Sequence, residues 1–250
     1  MKTISSSFVR LLKQPLFWLA LVLTLVAISI LVNLGMWQLN RAEQKLELQN
    51  MLTSNEQQTA IRLTDFDPQD KQDFYGVKVT ANLSPLAGYY VLLDNQTYNG
   101  EVGYLALQLV RAIDGRNVLL ELGFVAAKSS RSDLPDVAWL SQNYNREGRL
   151  YTRSTNPLSS NLMLEPTEPA RIQNLNTDQL GEYWQLPIES YIFQPRQAQW
   201  HYPQPWNPLP MSADKHQGYA FQWFSMAFAL AIIAIIWLRK ALKSTTKESL

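Results

Sequence analysis

The stretch Leu16 to Met36, LFWLALVLTLVAISILVNLGM, decides how the rest of the chain is read. No charged residue occurs between Gln14 and Asn40. As a helix rising ~1.5 Å per residue, the stretch reaches about 30 Å, the thickness of a bilayer's hydrocarbon core. A second such run lies near the other end: Gln217 to Leu238 is uncharged, with the core FSMAFALAIIAIIWL from Phe224 to Leu238. Tyr219, Trp223 and Phe224 stand at one end of it and Trp237 at the other, as aromatic residues do at headgroup depth. A secretory signal has a shorter apolar region and a small-x-small cleavage site. The exit Leu34-Gly35-Met36-Trp37-Gln38 offers no such site, so an uncleaved anchor is expected.

Working outward, the flanks set an orientation. Lys2, Arg10 and Lys13 precede the first run without an acid, and Arg239, Lys240, Lys243 and Lys247 follow the second with only Glu248. The inner flanks mix signs, with Arg41 and Lys45 among Glu43 and Glu47, and Asp214 beside Lys215. Both termini are therefore expected in the cytoplasm. The expected organisation is a cytoplasmic tail (1–15), a transmembrane helix (16–36), a periplasmic domain (37–215), a second transmembrane helix (217–238) and a cytoplasmic tail (239–250). The short first tail lacks the character of a mitochondrial transit peptide, which makes a bacterial inner membrane the expected location.

Between the runs, residues 41–215 hold 15 Lys+Arg against 20 Asp+Glu, while the whole chain carries +1. An acidic domain has no electrostatic reason to meet nucleic acid. The chain has no cysteine, which excludes disulfides, thiolate metal sites and cysteine nucleophiles. Its only histidines are His201 and His216, so a multi-histidine metal site is nearly excluded.

Arg41 to Thr53 reads as a helical continuation of the first run. The rest leans to strands: Tyr75–Leu83, Tyr89–Leu93, Gly103–Val110, Asn117–Val125 and Arg149–Arg153, with turns over Asp94–Gly100 and at Asp114-Gly115. Short helices are expected at Leu134–Ser141 and Thr177–Trp184. Pro195–Pro210, rich in Pro and Trp, reads as an extended lead-in to the second span. The fold class is thus an α+β membrane protein, two transmembrane helices flanking a β-rich extracytoplasmic domain.

Enzymatic signals are absent. Gly100 and Gly103 read as turn residues, no Gly-x-Ser-x-Gly elbow occurs, and Asp65/Asp67 and Asp70/Asp73 read as solvated surface. No catalytic residue is assigned. Topology supplies a different constellation. A helical hairpin brings Asn33, Gly35, Trp37, Gln38, Arg41 and Lys45 within reach of His216, Tyr219, Gln222 and Trp223. An imidazole, aromatics and cations at one depth suit a flat apolar cofactor with anionic tails such as haem. The same residue types are also the ordinary interfacial anchors of a membrane helix. Ala20, Thr24 and Ala27 on one run, and Ala220, Ala227, Ala231 and Ala234 on the other, are small-residue stripes that allow close helix approach.

Three motifs carry a family resemblance. Leu34-Gly35-Met36-Trp37-Gln38-Leu39-Asn40-Arg41 with Lys45 resembles the exit of the first span in the surfeit locus protein 1 family of cytochrome c oxidase assembly factors. Leu93-Asp94-Asn95-Gln96 with Gly100-x-x-Gly103-Tyr104 is similar to that family's strand–turn–strand region. Lys215 to Phe224 (KHQGYAFQWF) resembles its approach to the second span. One stretch departs: the family often has Asn-Arg-Gly-Trp where this chain has Glu121-Leu122-Gly123-Phe124, so a role for that Arg does not carry over to Leu122. The resemblance implies a non-catalytic factor that binds haem a, with His216 as the iron ligand and Trp37, Arg41, Tyr219 and Trp223 as its neighbours. It also implies partners: the oxidase catalytic subunit, other oxidase assembly factors and membrane lipid, with no nucleic acid. The alternative is a haem-free scaffold or chaperone that holds oxidase subunits through its large β-rich domain.

Overall fold

A computed structural model describes residues 14–67, 75–153 and 159–247, with side chains to residue 241. The flanking Lys2, Arg10, Lys13 and Glu248, and the carboxylates Asp70 and Asp73, lie outside the described residues. Two compact units form, one of the helical ends (up to Gln49 and from Leu209) and one of Asn50–Pro208.

The helical unit contains most of α1 (Pro15–Gln57) and α3 (Ala213–Lys247). Over 43 residues, at ~1.5 Å each, α1 is about twice as long as a bilayer core is thick. It does not stop at the end of the apolar run because Ala42-Glu43-Gln44-Lys45-Leu46-Glu47-Leu48 are all good helix formers. Both helices are long and apolar enough to cross a membrane. They meet along stripes spaced three and four residues apart. On α1 the covered positions include Gly35, Gln38 and Ala42; on α3 they include Ala213, His216, Ala220 and Ala227. The closest approach is at Gly35, where an added Cβ would lie 2.6 Å from the Phe224 ring. The small-residue stripes act differently from expectation at the far end. Ala20, Thr24, Ala231 and Ala234 line a cavity of about 510 Å³ instead of closing it. Phe17 stacks on Trp237 there with ring centres 6.2 Å apart, and two large rings hold open what small residues alone would close.

The other unit is a closed ring of strands. β2 (Val77–Tyr98) pairs with β3 (Glu101–Ala112), which pairs with β4 (Asn117–Ala126). β4 runs parallel to β7 (Ile192–Pro195), β7 pairs with β5 (Tyr144–Tyr151), and β5 returns to β2. One strand serves both ends because β2 spans 22 residues and shifts register between Pro85 and Tyr90. Leu83 is the junction, opposite Ala112 on one side and Tyr144 on the other. The short strands β1 (Ile61–Arg62) and β6 (Ala170–Ile172) add in parallel to β2. Val79, Ala81 and Leu83 join Tyr104, Leu120, Leu150 and Phe193 in one apolar core, while the intervening Lys78, Thr80 and Asn82 are more exposed. The opposite sheet face is covered by α2 (Thr177–Trp184), whose Leu180 packs on Leu105, Leu107 and Leu119.

Several local expectations change. Asp94–Gly100 is not one turn: β2 continues to Tyr98, Asn95 forms a bulge, and the turn is Asn99-Gly100 alone. Both turn residues have positive φ, as a two-residue hairpin requires. Gly103 lies within β3, where an added Cβ would fall 2.2 Å from the Val125 carbonyl oxygen. Leu134–Ser141 is extended, not helical. Pro135 interrupts it, and the buried Gln108 side chain binds Leu140 at both its N–H (2.8 Å) and its carbonyl (3.0 Å). Of Arg149–Arg153, only residues 149–151 are strand, the end of the longer β5, and Thr152 and Arg153 lie beyond it. Residues 196–208 lack helix and strand but are tied down: Phe124 N–H donates to Pro203 O at 2.7 Å, and Ala138 N–H to the Tyr202 hydroxyl at 2.7 Å.

Candidate functional site

Of the residues singled out at the helix ends, two meet directly. His216 Nδ1 lies 2.7 Å from Gln38 Oε1. Each occupies a covered position on its helix, and both are half-buried. An amide oxygen can only accept, so the ring donates through Nδ1–H, which in a neutral imidazole leaves the lone pair on Nε2. Nε2 has no hydrogen-bond partner among the described residues. A neutral imidazole held at one nitrogen and bare at the other is the form that ligates a metal.

Trp37 and Arg41 make a second pair. The Arg41 guanidinium stands 6.0 Å from the centre of the Trp37 ring and also donates to Gln44 Oε1 at 3.0 Å. Trp37 is exposed and ends a cavity of about 450 Å³ that runs along α1 past Val26, Ser29, Ile30, Asn33 and Leu34. Tyr219 and Trp223 follow His216 by one and two helical turns, Tyr219 exposed and Trp223 half-buried. No ring contact joins either of them to Trp37 among the described residues. Asn33 turns back on its own helix, donating to Ser29 O at 2.7 Å.

The strand unit contains polar residues that the sequence reading passed over. Glu121 is fully buried in β4, where Tyr151 donates its hydroxyl to one carboxyl oxygen and Gln194 Nε2 donates to the other at 2.9 Å. Burial pushes the Glu121 carboxyl above the ordinary glutamate range, and it drives the Tyr151 phenol well up. Arg149 donates to Gln194 and lies 4.3 Å over the Trp206 ring; burial lowers its pKa. The signal available was a lone acid inside Val118-Leu119-Leu120-Glu121-Leu122. Leu122, at the departing position, is buried in the inner core and borders a cleft of about 300 Å³ shared with Trp139, Gln142, Trp200 and His201. His201 is exposed there, edge-on to Tyr202. Asp65 pairs with Arg62 at 2.8 Å on the surface. Among the described residues no group of three or more His, Cys, Asp or Glu is arranged to hold a metal.

The family profile of SURF1 matches residues 25–228, from the first apolar run through the whole strand unit into the second. The chain belongs to the SURF1 family. SURF1 proteins are cytochrome oxidase assembly factors and are not known as enzymes. The SURF1-like proteins of Rickettsia felis and Rickettsia conorii are each 23% identical to this chain over 237 residues. The match covers 87% of this chain and 96% and 90% of theirs, respectively. The SURF1 match includes both Gln38 and His216 as well as the departing Glu121-Leu122-Gly123-Phe124.

Proposed function

We propose that this protein is a membrane-anchored assembly factor for haem–copper cytochrome c oxidase that holds haem a through His216 and helps its insertion into, or stabilises, the catalytic subunit. The observation that carries the reading is the His216 ring itself, engaged at Nδ1 by Gln38 and open at Nε2. The donor set fits haem. The group requires one axial nitrogen, aromatic cover and a cation for its carboxylates. His216 is the nitrogen, Trp37, Tyr219 and Trp223 are the aromatics, and Arg41 is the cation. Haem a would supply a macrocycle whose iron accepts one imidazole. A single protein ligand with apolar contact favours release to an acceptor, where two strong axial ligands would retain the iron. The chain's own part is to bind, orient and shield. Both termini are placed in the cytoplasm and the strand unit in the periplasm of a bacterial inner membrane, a reading supported by the basic outer flanks.

The test is to purify wild type and His216→Ala from cells that make haem a and compare Soret absorbance per protein. Loss of most of the pigment in the variant is expected; equal haem content would remove His216 as ligand. A second reading, a haem-free scaffold or chaperone for oxidase subunits, is favoured by the strand unit, which has its own core and its own cleft at Trp139, Trp200 and His201. A chain lacking residues 54–210 but keeping both apolar runs separates the two. Rescue of oxidase activity by it in a deletion strain would leave the scaffold without a basis.

A further inference from the structure

We infer that Gln38 is a positioning residue: its side-chain oxygen selects the Nδ1–H tautomer of His216 and thereby makes Nε2 the ligating atom. The inference rests on the reading of His216 as the haem ligand, and it names what prepares that ligand before any haem arrives.

Imidazole in water exchanges its proton between two nitrogens, and only the unprotonated one can bind a metal. On an exposed helix end nothing would choose between them. Here the choice is built into the helix pairing. Gln38 and His216 sit on the covered stripes of α1 and α3, in line with the buried Gly35, Ala42, Ala213 and Ala220. Those small neighbours bring the backbones close enough for two medium-length side chains to meet at 2.7 Å. A glutamine is neutral, so it orients the ring without adding a charge at the edge of an apolar span. An acceptor on the distal nitrogen also raises the basicity of the ligating one, and partners of this kind are worth about 10–100-fold in metal affinity. The expected consequence is a ligand set in place by a contact between the two helices, so that a chain with unpaired helices would hold haem less well.

The test uses the haem-free full chain labelled with ¹⁵N-histidine, at alkaline pH where the ring is neutral. The chain has two histidines, and the His216→Ala spectrum identifies which resonances belong to His216. The expected spectrum has a protonated Nδ1 and a bare Nε2. Gln38→Glu, which also presents an acceptor, should keep that tautomer. Gln38→Leu, a good helix former of similar length, should shift the population toward Nε2–H. With haem added, Gln38→Leu should dissociate about 10–100-fold faster than wild type, and Gln38→Glu should not. A wild-type ring protonated at Nε2 would overturn the inference, because Gln38 would then be donating its amide. An unchanged tautomer in Gln38→Leu would overturn it as well. Neither result depends on haem, so the two readings fail separately. If His216→Ala keeps its haem while the tautomer responds to Gln38, the ligand assignment falls and the positioning role stands.

Discussion

The helix pair and the strand ring solve opposite problems. Along the apolar runs of α1 and α3 the outward side chains are mostly apolar, with Leu23, Ile30, Phe228 and Ile233 all largely exposed. The contact between the two helices is marked instead by small residues and by a polar pair, Gln38 with His216. In the ring, burial itself selects the structure. Alternate residues of five strands fill one core, and polar groups buried on the opposite sheet face must be satisfied there, as Glu121 is by Tyr151 and Gln194. The specificity of the helix pair therefore lies in a few contacts, while that of the ring is spread over its whole interior.

The largest effect that would break this contrast is expected in the ring. Gly103→Val places a side chain against the Val125 carbonyl and should cost about 3 kcal/mol, the upper end for overpacking. Thermal unfolding of the full chain in detergent should show it, whereas Leu23→Ala, on the outer side of α1, should leave the midpoint nearly unchanged. Comparable losses in both would contradict the contrast.

Gly35→Leu comes next. It pushes on the Phe224 ring and should separate the helices at a cost of about 1–3 kcal/mol. The separation should also disturb the His216 ring, so loss of the Nδ1–H signature in that variant is the sharper readout.

Glu121→Gln tests the buried acid. Burial raises the native-state pKa of Glu121 above the ordinary glutamate range, so the folded chain keeps a proton that the unfolded chain releases. The contribution to stability is fully present below the ordinary glutamate range and is lost as pH rises through the raised native value. The variant should flatten that decline; an unaltered pH profile of unfolding would show that Glu121 is not the source. The smallest effect is expected from Arg41→Gln. Its guanidinium is exposed, where an ion pair with a haem carboxylate is worth at most about 1 kcal/mol, so its loss should weaken haem retention only about 2–5-fold.

Local signals were legible where the residues that decide an element are neighbours in the chain. The two apolar runs need no partner to be recognised. Thr177–Trp184 is a helix as read, with Asn176 accepting from Gln179 N–H at its start. The SURF1 resemblance was carried by motifs that the family match includes. What was hidden is non-local. β7 has four residues, and its place between β4 and β5 closes the ring, yet nothing within Ile192–Pro195 announces it. Leu134–Ser141 has a plausible helical pattern, but Gln108, 32 residues from Leu140, holds it extended. At the candidate site the hairpin topology pointed to one neighbourhood for His216 and Gln38. Only the relative rotation of the two helices, fixed by Gly35 against Phe224, pairs those two side chains rather than His216 with Trp37.

The most direct measurement is the haem a content of the oxidase catalytic subunit, isolated from a strain lacking this protein and complemented with wild type or with His216→Ala at equal abundance. Wild type should restore the haem content per subunit, and the variant should leave it depleted although the protein is present and folded. Full haem content with the variant would contradict a haem-holding role and leave the strand unit as the working part.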